Sequence, residues 1–373
     1  MGRGERWQGA EGFGIGPRRS RAKGRGPWDG AETSEGKGQR ASGWGRGGAG
    51  YSVEPPRYSP AVKFGYEEFD LSGVKTYPLA SRKSKAQAAD FAAPFRGTAG
   101  ARLVESLPSI LGGADLKAVA AAMRTARDNG HGLIWGIGAH VLKTGLSPVL
   151  IDLMERGYIC ALAMNGAGVI HDFELALSGA TSEDVDEALG PGRFGMAEET
   201  GRDLNAAINE GVGRGLGLGQ SVVEYLHHRQ PAFASVSVLA AAARLEVPVT
   251  VHVALGTDII HMHRDASGAA LGEGSLRDFR YFVSNVARLE NGVYVNCGSA
   301  VILPEVFLKA VALARNTGRS VQGLTTVNID FMRQYRPQTN VVSRPVAGIG
   351  KGYSLVGHHE ILIPLLAAAL ADE

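Results

Sequence analysis

Two cysteines, Cys160 and Cys297, are all that the 373 residues contain, which excludes a disulfide framework and any Cys-rich zinc motif. Both lie in apolar runs and read as buried, reduced thiols. No apolar stretch reaches the roughly 18 residues of a membrane span. The first residues also lack the apolar core of a signal peptide, so a soluble, cytoplasmic protein is expected, with no membrane partner. Net charge is nearly absent, at +2, which argues against a folded body that binds nucleic acid. The positive charge present is concentrated at one end, where residues 1–56 hold ten Arg or Lys against six Asp or Glu.

That end has little else. Residues 1–56 contain sixteen glycines and almost no aliphatic side chains, so they cannot bury enough apolar surface to offset chain entropy and are expected to be disordered. An RGG-like RNA-binding tail and a start codon placed upstream of the true one both account for such a segment. The remainder, 57–373, is expected to form a single domain, opening with a loop-rich arm and helices over 57–130.

What the chain has in quantity is alternation. Apolar strand-like runs at 132–138, 158–165, 247–255, 292–298 and 321–329 are separated by helical patterns at 147–157, 169–179, 235–246, 275–290 and 303–318. Helical patterns also cover 100–112, 115–129, the glycine-interrupted stretch 196–224 and the C-terminal run from His359. Strands apolar throughout and joined by helices predict an α/β fold, a Rossmann-like doubly wound parallel sheet with helices on both faces. Ligands of such sheets bind beyond the carboxyl ends of the strands.

Of the five ends GIGAHVLKTG (136–145), NGAGVIHDF (165–173), GTDIIHMH (256–263), NCGSAVILPE (296–305) and NIDFMRQYRP (328–337), four carry glycine, and Asn, Asp or His recurs among them. The NGAG corner resembles a phosphate seat, because a helix N-terminus presents unpaired N–H groups and partial positive charge. A plain tight turn is the competing account. His171 and Asp172 form a candidate acid/base pair, although a first-turn Asp also suits the helix dipole alone. Lys143 follows the first glycine-rich end directly, in the crevice or as a solvated surface lysine. His252, Asp258, His261 and His263 have the ligand types of a divalent transition-metal site, with a polar loop as the alternative. Glu198 is a carboxylate for an ammonium substrate or part of a solvated helix face.

From about Ala120 onward the order of motifs resembles the deoxyhypusine synthase family. The matching stretches are WGIGAHVLKTGL (135–146), NGAGVIHDFELAL (164–177 with Met164), GEGSLRDFRYF (272–282), NCGSAVILPEVFLKAVALARNTG (296–318), TTVNID (325–330) and ILIPLL (361–366). The resemblance implies a homotetramer with NAD-binding sites at subunit interfaces. It also implies oxidation of a polyamine such as spermidine and transfer of its aminobutyl group, by way of a lysine imine, to a protein lysine or a small diamine. By position it places NAD at Gly138, His140, Thr144, Asn165, Gly166, Gly168, Ser275, Asp278 and Asn328. Glu198, Asp258 and Asp330 are the candidate substrate contacts. The family's lysine, in W-G-K, is replaced here by Ser343-Arg344-Pro345, and a family histidine pair by Pro304-Glu305. Imine chemistry then requires another amine, and Lys143 and Lys351 are the candidates near strand ends. Rival readings are a metal-assisted enzyme using the histidine array with His171 as base, and a non-catalytic binder of nucleotide or polyamine.

Overall fold

A computed structural model describes residues 68, 70–97 and 99–371. The expected tail at 1–56 and the start of the arm lie outside the described residues. The arm carries β1 (Ser84–Gln87), followed by α1 (Ala99–Ser106) and α2 (Leu111–Asp128). Then come β2 (Leu133–Ile137), α3 (Ala139–Lys143), α4 (Ser147–Glu155), β3 (Ala161–Asn165) and α5 (Gly166–Ser178). The chain continues through β4 (Ala180–Glu183), α6 (Val185–Leu189), α7 (Glu198–Gly213), α8 (Leu218–Arg229) and α9 (Val238–Arg244). The second half is β5 (Val249–His252), α10 (Gly268–Val286), β6 (Val293–Cys297), α11 (Ile302–Asn316) and β7 (Thr325–Asp330). It closes with α12 (Tyr335–Pro337), β8 (Lys351–Val356) and α13 (His359–Ala369).

Six of these strands form one parallel sheet in the order β5-β3-β2-β6-β7-β8. The chain starts in the middle, winds outward to β5, returns, and winds outward again to β8. The direction reverses between β2 and β6, which is the switch point where such sheets open a crevice. The expected fold class is thus the observed one. β1 and β4 form a separate antiparallel pair.

Side-chain alternation along the strands fills two cores. Leu133, Trp135 and Ile137 of β2 join the larger core, while Ile134 joins the smaller one with Tyr294 and Phe307. Tyr294 and Phe307 stack with ring centroids 3.7 Å apart. Glycine divides the long helical stretch expected over 196–224. Gly215, at φ +90, takes a left-handed turn that separates α7 from α8, a conformation costly for any residue with a Cβ.

β5 lies at the sheet edge, where unpaired backbone groups need cover. α10 supplies it. Ser275 Oγ accepts from Val253 N and donates to Val251 O, both at 3.2 Å, and Asp278 Oδ2 accepts from Val251 N at 2.8 Å and Gly219 N at 2.9 Å. β8 was not expected; KGYSLV has too few apolar residues to signal a strand and is held by pairing with β7. No helix among the described residues is long and apolar enough to cross a membrane.

Candidate active site at the carboxyl edge of the sheet

A cavity of about 220 Å³ opens beyond β3 and β5, and its walls bring together Arg82, Lys143, His171, Glu174, Glu183 and Asp258. Lys143 comes from the last turn of α3, His171 and Glu174 from one face of α5, one turn apart. His171 Nδ1 lies 2.7 Å from Thr181 Oγ1, and that hydroxyl donates to Glu174 Oε2 at 2.5 Å. A hydroxyl that gives its proton to Glu174 must accept from the ring, so the proton sits on Nδ1 and Nε2 carries a lone pair. Burial pulls the His171 pKa down to about 4. The ring is neutral at pH 7.

Glu174 is fixed in turn. Arg82, from the arm, meets it with two parallel bonds of 2.6 and 2.7 Å, and the Thr200 hydroxyl donates to it at 3.1 Å. Bidentate charge-assisted pairing of this kind holds both planes rigidly. Glu183 receives the Tyr77 hydroxyl and the Gly195 N–H. Sequence reasoning missed Arg82, Glu174 and Thr181. The three-residue spacing of His171 and Glu174 on a helix was a usable signal. The arm's Arg82 and the strand's Thr181 gave none.

The NGAG corner has its own occupant. Asn165 caps α5 by accepting from Gly168 N at 3.0 Å, the ordinary use of Asn at this position. Beside it stands the Asp258 carboxylate, so close that a Cβ on Gly166 would lie 2.0 Å from Oδ2. Burial pushes the Asp258 pKa up to about 6, and the Ala167 N–H, hydrogen-bonded to the carboxylate, opposes that rise. A pyrophosphate seated on these amides would meet a carboxylate. The expected NAD contacts at Asn165, Gly166 and Gly168 therefore do not fit.

Other expected NAD contacts are committed elsewhere. Ser275 and Asp278 clasp the β5 edge as described, with burial raising the Asp278 pKa to about 7. Asn328 accepts from Asn296 Nδ2 at 2.7 Å, buried between β6 and β7. Thr144 closes α3 by donating to the His140 and Val141 carbonyls.

The switch-point crevice between β2 and β6 is the better fit for a dinucleotide. Gly138 approaches Gly298 so closely that a Cβ would lie 2.1 Å from the Gly298 carbonyl oxygen. His140 stands above, its ring 5.4 Å from that of His359 and 6.3 Å from that of the half-exposed Phe331. Burial, and then the neighbouring His359, lower the His140 pKa. Asp330, at the end of β7, is 3% exposed. Rings for stacking and a carboxylate for sugar hydroxyls are what a dinucleotide uses.

Four sequence expectations are corrected here. The histidine array does not converge, and among the described residues no group of His, Cys, Asp or Glu is arranged to hold a metal. His252 packs edge-on against Phe282 and faces Thr250 Oγ1, whereas His263 Nε2 faces the Gly195 carbonyl at 2.9 Å. His261 Nδ1 accepts the Gly256 and Asp258 N–H groups, leaving its Nε2 4.0 Å from Asp258. Asp172 turns away from the cavity. It accepts from Ser237 Oγ, Val238 N and Leu239 N at 2.6–3.0 Å and so caps α9, with burial raising its pKa to about 6. Lys351 opens β8 at the amino edge of the sheet, beside Thr325 and Gly323, on the sheet edge opposite β5 and not on the cavity wall. Glu198 pairs with Arg202 on the outer face of α7.

No family model matches the chain, and no curated protein matches it. Solved structures do. The arginine dihydrolase ArgZ of the cyanobacterial ornithine–ammonia cycle is 19% identical, with a TM-score of 0.43 over 68% of this chain and 32% of its own. This chain thus spans about a third of that protein's length. A LOR/SDH protein of Methanococcus maripaludis is 17% identical, with a TM-score of 0.46 over 75% of this chain and 73% of its own. A deoxyhypusine synthase-type protein of Entamoeba histolytica is 11% identical, with a TM-score of 0.43 over 72% of this chain and 91% of its own. The site assignments above rest on this chain's own geometry.

Proposed function

We propose that this chain is an NAD-dependent, deoxyhypusine-synthase-like transferase acting on a polyamine or another small amine, with Lys143 in place of the family's lysine. The observation that carries this reading is the opening of Lys143 and the neutral His171 onto one cavity, with Lys143 on the same short helix as His140 of the switch-point crevice. The sequence motifs supply the cofactor and the reaction class, and the crevice has the residues to hold the cofactor. NAD, when bound there, supplies a hydride acceptor. Gly138, His140 and Asp330 would hold it.

The chain's own residues do the rest. His171 Nε2 accepts a hydrogen bond from the substrate amine, because its tautomer leaves that lone pair facing the cavity. Lys143 Nζ attacks the imine carbon of the oxidised substrate and the leaving amine departs with a proton. The aminobutyl group is then held on Lys143 as an imine until an acceptor amine displaces it. Glu183 lies on the wall as the partner for a distal ammonium. A homotetramer and a protein or diamine acceptor belong to the same proposal.

Incubation with NAD, spermidine and borohydride tests it. The expected result is one added butylamine-sized mass on the peptide carrying Lys143, absent from Lys143→Ala. No adduct on any lysine while NAD still binds overturns the reading.

A further inference from the structure

The proton on His171 is fixed from outside the sheet, through a chain of contacts that begins on the arm. Arg82 grips both oxygens of Glu174. Glu174 Oε2 accepts from Thr181 Oγ1 at 2.5 Å, and that hydroxyl lies 2.7 Å from His171 Nδ1. The Arg82 and Glu174 side chains are 4% and 1% exposed, and Thr181 is fully buried, so solvent screens none of these links. The arm touches the chain a second time, because Ala86 of β1 stands opposite Thr181 of β4. A carboxylate can only accept, so the hydroxyl donates to it and takes its own hydrogen bond from Nδ1–H. That order lasts only while Glu174 is ionised. Apart from Arg82, the carboxylate is met by the hydroxyls of Thr181 and Thr200. Two neutral donors do not sustain a charge buried so deeply.

We propose that Arg82 is a positioning residue that makes His171 select ligands with a hydrogen to donate, amines in preference to carbonyl compounds. The proposal rests on the reading of His171 as the acceptor for a substrate amine. Arg82 acts through the chain: its guanidinium keeps Glu174 a carboxylate, the carboxylate orients Thr181, and Thr181 holds the ring proton on Nδ1. Nε2 then offers only a lone pair to the cavity that the ring lines. The surrounding charges agree with a neutral ring. Burial lowers the His171 pKa most, Glu174 opposes it, and Lys143 and Arg82 reinforce it. Without the guanidinium, the buried negative charge is removed in one of two ways. Glu174 takes a proton from solvent and donates to Thr181, which turns and donates to Nδ1. Otherwise the ring takes the proton and becomes an imidazolium. Both place a hydrogen on Nε2 and turn an acceptor into a donor.

The test is made on the full chain with 15N-labelled histidine, read by NMR at neutral pH with butylamine as the probe. His171→Gln assigns the His171 signals. The wild type is expected to show a protonated Nδ1 and a bare Nε2 that shifts when butylamine is added. Arg82→Gln is expected to carry a hydrogen on Nε2 and to bind butylamine at least about tenfold more weakly, as for one lost charge-assisted hydrogen bond. Arg82→Lys keeps a cation on Glu174 and is expected to restore the bare Nε2. Thr181→Val cuts the chain and is expected to divide the proton between the two nitrogens, and Thr181→Ser to return it to Nδ1. A bare Nε2 in Arg82→Gln overturns the proposal, and so does equal affinity for butylamine in that variant and the wild type. If Arg82→Gln fails to fold, a single Nδ1–H form in Thr181→Val overturns it instead. A wild type that ignores butylamine overturns it as well. The transfer reaction is judged separately by the Lys143 adduct with NAD and spermidine, which can fail while the proton stays on Nδ1.

Discussion

The corners after β2 and β3 are neighbours in the sheet, both turn on glycine and both lead at once into a helix. They differ in what a third segment brings to them. The corner after β3 has its amides taken by Asn165 and faced by Asp258 from the loop after β5. At the corner after β2, Gly138 has no side-chain cap, and its neighbour is the backbone of the β6 corner. The more suggestive sequence, NGAG, is thus the closed corner. A glycine-rich strand end signals that backbone comes close to something. What that something is depends on residues far along the chain.

The largest difference between the corners is expected in chemistry. Lys143, on the helix behind the first corner, faces the cavity, and Lys351 lies at the other end of the sheet. Lys143→Ala should lower turnover by at least about a thousandfold, as loss of a covalent nucleophile does. Lys351→Ala should leave it within about twofold. Steady-state rates with the amine substrate decide this, and equal losses in the two variants would break the assignment.

Acid should separate the histidines of the two corners. His171 has a folded pKa of about 4, below the unfolded value near 6.5. Its contribution to stability is whole above pH 6.5 and is lost as pH falls toward 4, by up to about 3 kcal/mol. His252, also lowered to about 4 by burial, acts in the same direction. His140 is shifted down too, but without enclosure of that kind, so its NMR titration should lie above that of His171. Thermal melts from pH 7 to 4 should show a shallower decline in His171→Gln than in the wild type. An unchanged slope would mean that the His171 ring is not buried neutral.

Legibility in the sequence followed the range of the interactions. The parallel sheet was legible because five of its six strands lie in local apolar runs, and VPVTVHV or GVYVNCG needs no partner to be recognised. β8 was not legible, since KGYSLV becomes a strand only against β7. Within the site, Lys143 and His171 could be singled out from nearby glycine. Their functional partners could not, because Arg82 reaches Glu174 across 92 positions and Asp258 meets α5 from about 90 residues further on. Asp172 shows the opposite error. An acid next to a histidine looked like chemistry, yet adjacent helix residues point in different directions, and Asp172 went to cap α9.

Gly138 tests how tightly the first corner is built. The Cβ of Gly138→Ala would lie 2.1 Å from a backbone carbonyl, which cannot swing aside, so a cost of about 1–3 kcal/mol is expected, together with loss of NAD binding. In Gly166→Ala the obstacle is the Asp258 side chain, at 2.0 Å. That carboxylate can rotate, so the cost should be smaller. Denaturant unfolding of the two variants checks the order, and a larger loss in Gly166→Ala would show that the loop after β5 is the more rigid of the two neighbours.

The smallest effect is expected from Asn165→Ala, and it bears on where the cofactor lies. Asn165 caps α5 through Gly168 N, so its loss should cost about 1 kcal/mol of stability. With Asp258 facing the same helix end, no phosphate is expected there, and NAD affinity should change by less than about threefold, under 1 kcal/mol. Titration calorimetry beside a denaturant melt reads both quantities on one variant. A stability loss without an affinity loss places the dinucleotide away from this corner. An affinity loss of tenfold or more would mean that Asp258 withdraws when NAD arrives, and that the closed corner opens to its ligand.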